Sequence, residues 1–189
     1  MKRIFLIAGL ATAFLLLVVA ASAQKANFAG TWSLDKAKSQ GLSQRVMGAD
    51  KVTLTITQDD KTITLDTKME GGPAPQGGGG NGGGGGMGGG RPGGGMGGPQ
   101  SYNLDGKEAT SDVPMGPATA KRTAKATMNG STLELMSKLD YTGRDGNPAT
   151  STTTQKLTLS DAGKTLTVVT HREGGQQQQP DSTAVYAKQ

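Results

Sequence analysis

The sequence has no cysteine, and it is poor in aromatic residues and histidine. Without thiols the chain can form no disulfide, no thiolate metal site and no acylated lipoprotein cysteine. The single histidine, His171, cannot supply a metal cage by itself, and its strand alternation places it on the solvent side. The aspartates sit where turns need them, which leaves no carboxylate pair for acid–base chemistry. We therefore predict no metal site, no cofactor and no enzymatic activity.

The sequence has no large excess of either positive or negative charge. Lys and Arg total 20 against 15 for Asp and Glu, which gives a formal net charge of +5. The lysines are spread along predicted strands instead of being gathered on a basic helix or interleaved with aromatic residues. This distribution is not typical of a nucleic-acid-binding surface, so we predict that the protein does not bind nucleic acid.

The amino terminus has the pattern of an export signal. Lys2 and Arg3 precede an almost unbroken apolar run over residues 4–19, and Ala21-Ser22-Ala23 forms a small-x-small cleavage site. This pattern predicts a signal peptide at residues 1–23. The run is shorter than the ~20 residues that a membrane-spanning helix needs. We expect an exported protein, periplasmic or extracellular, with no membrane span after cleavage.

Residues 71–99 differ from the rest of the chain. They are mostly glycine and have no apolar periodicity, so the tract cannot offset the entropy cost of ordering its backbone. It lacks the Gly-Lys-Ser/Thr of a phosphate loop. Its two methionines, Met87 and Met96, are too few to indicate a soft-metal site, and its one arginine, Arg91, is too few to indicate an RNA-binding segment. We predict a disordered, flexible loop inserted within a single domain at residues 24–189.

Period-2 alternation predicts strands on both sides of this tract. Residues 28–34 place Trp32 and Leu34 on one face, and hairpins are predicted around Asp59-Asp60, Asp105-Gly106, Asn129-Gly130 and Asp161-Ala162. A helical turn is predicted over residues 35–39, and a loop or short helix over residues 40–50 across one end of the fold. The pattern favours an all-β, antiparallel up-and-down meander barrel of about 8–10 strands. Its last strand, at residues 184–188, should lie beside the first.

Gly30-Thr31-Trp32-Ser33-Leu34-Asp35 resembles the first-strand signature of secreted bacterial lipocalin-like proteins, which reads G-T-W-x-L-(N/D). The resemblance extends over nearly all the mature chain outside the glycine tract, at residues 102–107, 121–122, 160–168 and 185–189. It implies a lipocalin-like barrel whose closed end is covered by Trp32, next to Gly30. It also implies a cation–π contact on Trp32 from a later strand, with Arg122 or Arg172 as the candidate.

Small inward side chains would leave an apolar pocket inside such a barrel. The residues predicted to line it are Ala124, Ala126, Leu133, Leu135, Leu157, Leu166 and Val168. Two functions stay open at this point. The first is a non-enzymatic binding protein for a small apolar or amphipathic ligand. The alternative is a structural or interaction module with a filled barrel, whose glycine-rich loop contacts a partner protein or envelope polymer. The sequence leaves the oligomeric state open.

Overall fold

The computed structural model describes residues 26–71, 98–115, 118–143, 146–175 and 180–189. The predicted signal peptide and nearly all of the glycine tract lie outside these ranges. The described chain forms ten strands, one short α-helix and one 3-10 turn at Asp161–Gly163. In chain order the elements are β1 Gly30–Gln40, α1 Gln44–Gly48, β2 Lys51–Gln58, β3 Thr62–Glu70, β4 Gln100–Asn103, β5 Ala109–Met115, β6 Ala118–Asn129, β7 Thr132–Thr142, β8 Pro148–Ser160, β9 Thr165–Gly174 and β10 Ser182–Lys188.

The strands form one antiparallel sheet in the order β4-β3-β2-β1-β10-β9-β8-β7-β6-β5. The first and last strands are neighbours, with Trp32 paired to Lys188 and Leu34 to Tyr186, as predicted. Every other ladder joins strands that are consecutive in the chain. The predicted fold class is therefore confirmed as an all-β meander, and the sheet curls into a nearly closed barrel.

The barrel is not closed by a ladder between β4 and β5, so the hairpin predicted around Asp105-Gly106 is wrong. Instead β4 pairs with β3, placing Tyr102 opposite Ile63, and β5 pairs with β6. In the described ranges no ladder joins β4 to β5. After β4 the chain is held to the turn between β2 and β3, because the Leu104 amide donates to the Lys61 carbonyl at 2.7 Å. We call the resulting gap between β4 and β6 the seam.

The helical turn predicted over residues 35–39 is also wrong, because β1 continues through it to Gln40. The register of β1 against β10 shifts between Asp35 and Gln40. Within this irregularity the Asp35 carboxylate accepts hydrogen bonds from the amides of Ala37 and Lys38, at 3.1 and 3.3 Å. The carboxylate of one aspartate can accept hydrogen bonds from the free backbone amides of a strand bulge, just as it can from those in the first turn of a helix. The aspartate in the sequence therefore did not distinguish a bulged strand from a helical turn.

The predicted short helix is present as α1, and Ser43 caps its amino terminus by accepting from the Val46 amide. Val46, Ala49 and Val52 form a small buried cluster there, separate from the main core. Met69, near the end of β3, packs against this cluster, so α1 lies across the barrel end opposite the β2–β3 turn. In the part of the chain that the structure describes, no helix is long and apolar enough to cross a membrane.

The main core surrounds Trp32 and Phe28, both of which are fully buried. The indole Nε1 of Trp32 donates to the Phe28 carbonyl at 3.0 Å, so its one polar atom is satisfied inside the core. Tyr186 lies in the same core, and burial raises the pKa of its hydroxyl to about 12. Few aromatic residues are needed because leucine, isoleucine and valine from the surrounding strands complete the packing.

Candidate ligand-binding site

Part of the inner wall of the barrel is built from cross-strand rows on β6, β7, β8 and β9. Alternation places every second side chain of each strand inward, and the ladders set these residues side by side. One row, which we call the apolar row, joins Met128, Leu133, Leu157 and Val168. The last three of these are buried at 5% exposure or less. This part of the inner wall is apolar and mostly buried.

A second row lies four residues further along each strand, on the α1 side of the apolar row. This polar row joins Ala124, Ser137, Thr153 and Arg172 in the same ladders. Ala124 is buried, whereas Ser137, Thr153 and Arg172 are only half-buried. On β6 to β9 the inner wall therefore changes along the barrel axis from buried and apolar to partly accessible and polar.

All seven side chains predicted to line a pocket belong to one buried cluster. Six of them, all but Val168, are 4% exposed or less. The structure thus brings the predicted set together on the inner wall. A role for the set in binding a ligand stays a prediction.

Arg122 lies on the inward face of β6, where it pairs with Ser111 of β5 and Leu139 of β7. Its Nε donates to the Ser137 Oγ at 3.0 Å, and its guanidinium carbon is 4.9 Å from the centre of the Tyr102 ring. Its Nη2 is buried and has no hydrogen-bond partner. Leaving such a donor unsatisfied costs at least about 1–3 kcal/mol. A cationic nitrogen is therefore held inside the protein with capacity for one more acceptor.

Tyr102 faces Arg122 across the seam from β4. It is buried, and its hydroxyl donates to the Gln100 Oε1 at 3.0 Å. Burial raises the pKa of the Tyr102 hydroxyl, an effect that the positive charge of Arg122 opposes. The tyrosine is consequently neutral at physiological pH and offers its ring to the guanidinium. This cation–π contact joins two strands that share no ladder.

A cleft of about 260 Å³ lies along the seam. Its lining comes from the turn after β4 and from the end of β6, and consists of Leu104, Asp105, Gly106, Ala126, Thr127 and Met128. Of the seven predicted lining residues, only Ala126 contributes to it. The cleft is a little smaller than the roughly 300 Å³ at which pockets for drug-sized ligands begin.

The cation over Trp32 is Lys188, whose Nζ is 5.3 Å from the ring centre. This corrects the assignment of Arg122 to that position, because Arg122 stacks on Tyr102. Lys188 reaches the indole since it pairs directly with Trp32 in the β1–β10 ladder. Gly30 leaves room for it: a Cβ at that position would lie 3.0 Å from the Lys188 Cε. Arg172 lies opposite Thr153, and a contact from it to Trp32 stays a prediction.

His171 is exposed on the outer face of β9, as predicted, but it has two carboxylate partners that the sequence did not reveal. Its Nδ1 is 2.5 Å from the Asp181 Oδ1, and its Nε2 is 3.1 Å from the Glu173 Oε1. These hydrogen bonds, that to Asp181 above all, raise the pKa of the imidazole. Among the described residues there is no group of three or more His, Cys, Asp or Glu side chains that could hold a metal ion.

No family model and no curated protein matches the chain. Two solved structures that it resembles are single-residue mutants of the fluorescent protein UnaG, each 17% identical to it. One covers 86% of this chain and 96% of its own with a TM-score of 0.46, and the other covers 85% and 95% with a TM-score of 0.45.

Proposed function

We propose that this protein is an exported, lipocalin-like binding protein for a small amphipathic molecule, and that it has no enzymatic activity. The observation that carries the proposal is the change along the inner wall from the buried apolar row to the half-buried polar row. A barrel needed only as a scaffold is most stable when its interior is filled with apolar side chains. An interior that keeps an arginine with an unsatisfied nitrogen gives up some of that stability.

The seam supplies a place for the apolar part of such a molecule. Leu104, Ala126 and Met128 give the cleft an apolar wall, and no ladder has to break for a molecule to enter between β4 and β6. Polar side chains lie within the same barrel, on the α1 side. The apolar end of an amphipathic molecule would thus contact the apolar wall of the cleft, and its polar end would contact the polar side chains on the α1 side.

Binding can be measured with the neutral fluorescent probe N-phenylnaphthylamine and the mature protein, residues 24–189. We expect saturable fluorescence enhancement. Ala126→Leu, which places extra carbons in the cleft, should weaken probe affinity by about tenfold without unfolding the protein. Thr123→Leu adds a similar side chain to the outer face of the same strand and should leave probe affinity unchanged. A folded wild-type protein that binds no probe would contradict the proposal and favour the filled-barrel alternative.

Export rests on the amino-terminal sequence and can be tested separately. The proposal expects the protein recovered from the periplasm or medium to begin at Gln24, which amino-terminal sequencing or intact mass would establish. Replacing Lys2 and Arg3 by glutamate should make the precursor accumulate in the cytoplasm, because the positive n-region is lost. A mature protein that retained residues 1–23 would contradict cleavage.

A further inference from the structure

We propose that the protein carries a site of spontaneous covalent modification at Asn129, where the backbone nitrogen of Gly130 attacks the side-chain amide and ammonia is lost. Asn129 ends β6 and Gly130 begins the turn into β7, and both residues are exposed. The reaction needs no cofactor and no second protein, because the chain itself supplies both reacting groups. It gives the β6–β7 hairpin a new carboxylate as the protein ages.

The chemistry is an intramolecular acyl transfer. The Gly130 nitrogen loses its proton to water or hydroxide and bonds to the Asn129 Cγ, and the bond from Cγ to Nδ2 breaks to release ammonia. Water then opens the succinimide ring that has formed. Opening at Cγ leaves aspartate in a normal backbone, whereas opening at the main-chain carbonyl carbon leaves isoaspartate, whose peptide bond runs through Cγ. The net change is the gain of water and the loss of ammonia, with no oxidation or reduction.

The attacking amide is free at this position. Among the described residues, no hydrogen bond is formed by the Gly130 N–H. The ladder pairs Asn129 with Thr132, so only Gly130 and Ser131 connect the two strands. Gly130 has a φ of +59°, in the left-handed region, and a Cβ at that position would have no neighbour within 4 Å. The nitrogen is therefore neither engaged in a hydrogen bond nor shielded by a side chain of its own residue.

The other three asparagines of the described chain lack this combination. The amide that follows Asn27 donates to the Gln58 Oε1 at 2.9 Å, and the amide that follows Asn103 donates to the Lys61 carbonyl at 2.7 Å. Each of these hydrogen bonds must break before the nitrogen can attack. Asn147 is followed by a proline, which has no N–H. The structure thus favours the β6–β7 turn over the other three positions.

The two products differ in their effect on the hairpin. Aspartate adds a negative charge directly after Thr127 and Met128, which line the cleft, and leaves the backbone unchanged. Isoaspartate adds the same charge and also inserts a methylene group into the main chain. Because a short connection fixes the register of a hairpin, the added length strains the end of the β6–β7 ladder. We expect the isoaspartate form to melt at a lower temperature than the Asn129→Asp protein, which has the charge alone.

The test is to incubate the purified protein in a mildly alkaline buffer and to follow each asparagine by peptide mapping with mass spectrometry. We expect Asn129 to convert at least about tenfold faster than Asn27 or Asn103, because the amides that follow those two must first give up a hydrogen bond. Mapping separates this signal from that of Asn81, which lies outside the described residues. Asn129→Gln is the matched control: it keeps the amide, but its longer side chain would have to close a larger ring, so position 129 should stay unmodified.

The ratio of products identifies the route. Isoaspartate together with aspartate at position 129 supports attack by the Gly130 nitrogen, whereas aspartate alone would indicate direct hydrolysis by water and would overturn the inference. Conversion of Asn129 no faster than that of Asn103, or conversion only after unfolding in guanidinium chloride, would also overturn it, because the folded hairpin would then keep the side chain away from the nitrogen. Each of these results leaves the proposed binding function unaffected.

Discussion

At the residue scale, the titration of His171 is open to direct measurement. The folded protein has this single imidazole, hydrogen-bonded to Asp181 and Glu173, and its pKa is raised. A raised pKa means that the protonated form is favoured by folding. The contribution to stability is therefore complete below the unfolded pKa of about 6.5 and is lost as pH rises through the folded value.

We expect NMR titration of the imidazole to give a pKa above the unfolded value. Asp181→Asn should bring it down further than Glu173→Gln does, because Asp181 is the larger cause. Lys164→Gln, in the turn just before the other end of β9, serves as the control and should leave the titration in place. A wild-type imidazole that titrates at or below the unfolded pKa would show that the two carboxylates do not pair with it in solution.

Trp32 tests whether a residue assigned to closing the barrel also takes part in binding. The side chain is fully buried, so Trp32→Ala should lower the free energy of unfolding by about 3–5 kcal/mol. Affinity for N-phenylnaphthylamine per folded molecule should stay nearly constant. Met47→Ala, at a side chain that is 49% exposed, is the matched control and should change stability by less than about 0.5 kcal/mol. Lost binding in a folded Trp32→Ala protein would instead make Trp32 part of the site.

At the element scale, the sequence predicts which face of a strand is buried better than it predicts which strands pair. Alternation alone identified the inward positions of β6 and β7, because burying one face of a strand forces a period of two. It could not predict that β4 and β5 stay apart. A tight-turn signal such as Asp105-Gly106 is local, whereas the pairing of β4 depends on β3, which precedes the glycine tract. The aspartate signal at residue 35 was ambiguous for the same reason, since strand bulges and helix starts use the same hydrogen bonds.

The candidate site was likewise hard to predict, because the sequence does not show which strands are neighbours. Arg122 occupies a predicted inward position, and an arginine among alanines on that face was a usable signal of a polar interior. Its contact with Tyr102 was not predictable, because it joins β6 to β4 across a seam without a ladder. The cleft was missed for a related reason: half of its lining comes from the turn after β4, which the sequence assigned to a simple hairpin.

At the scale of the whole molecule, the seam leaves one sheet with inner strands that are paired on both sides and two edge strands, β4 and β5. Strands β7 and β8 have ladders on both sides, whereas in the described chain β4 and β5 each have a ladder on one side only. Backbone amides that lack a ladder partner open to solvent more readily than those held on both sides. A molecule entering at the seam would meet the part of the wall that opens most easily.

Hydrogen exchange followed by mass spectrometry or NMR should show this order. We expect amides of β4 and β5 to exchange at least about tenfold faster than those of β7 and β8, with β6 between them. Saturation with N-phenylnaphthylamine should slow exchange more at β4 and at the end of β6 than in β8, because the probe occupies the cleft between them. The Ala126→Leu protein provides the control. Its weakened binding should remove the probe-dependent change, while the order of exchange rates among the strands of the unbound protein should stay the same. Equal protection of β4, β5, β7 and β8 in the unbound protein would mean that the seam is closed in solution, and a ligand would then need another way in.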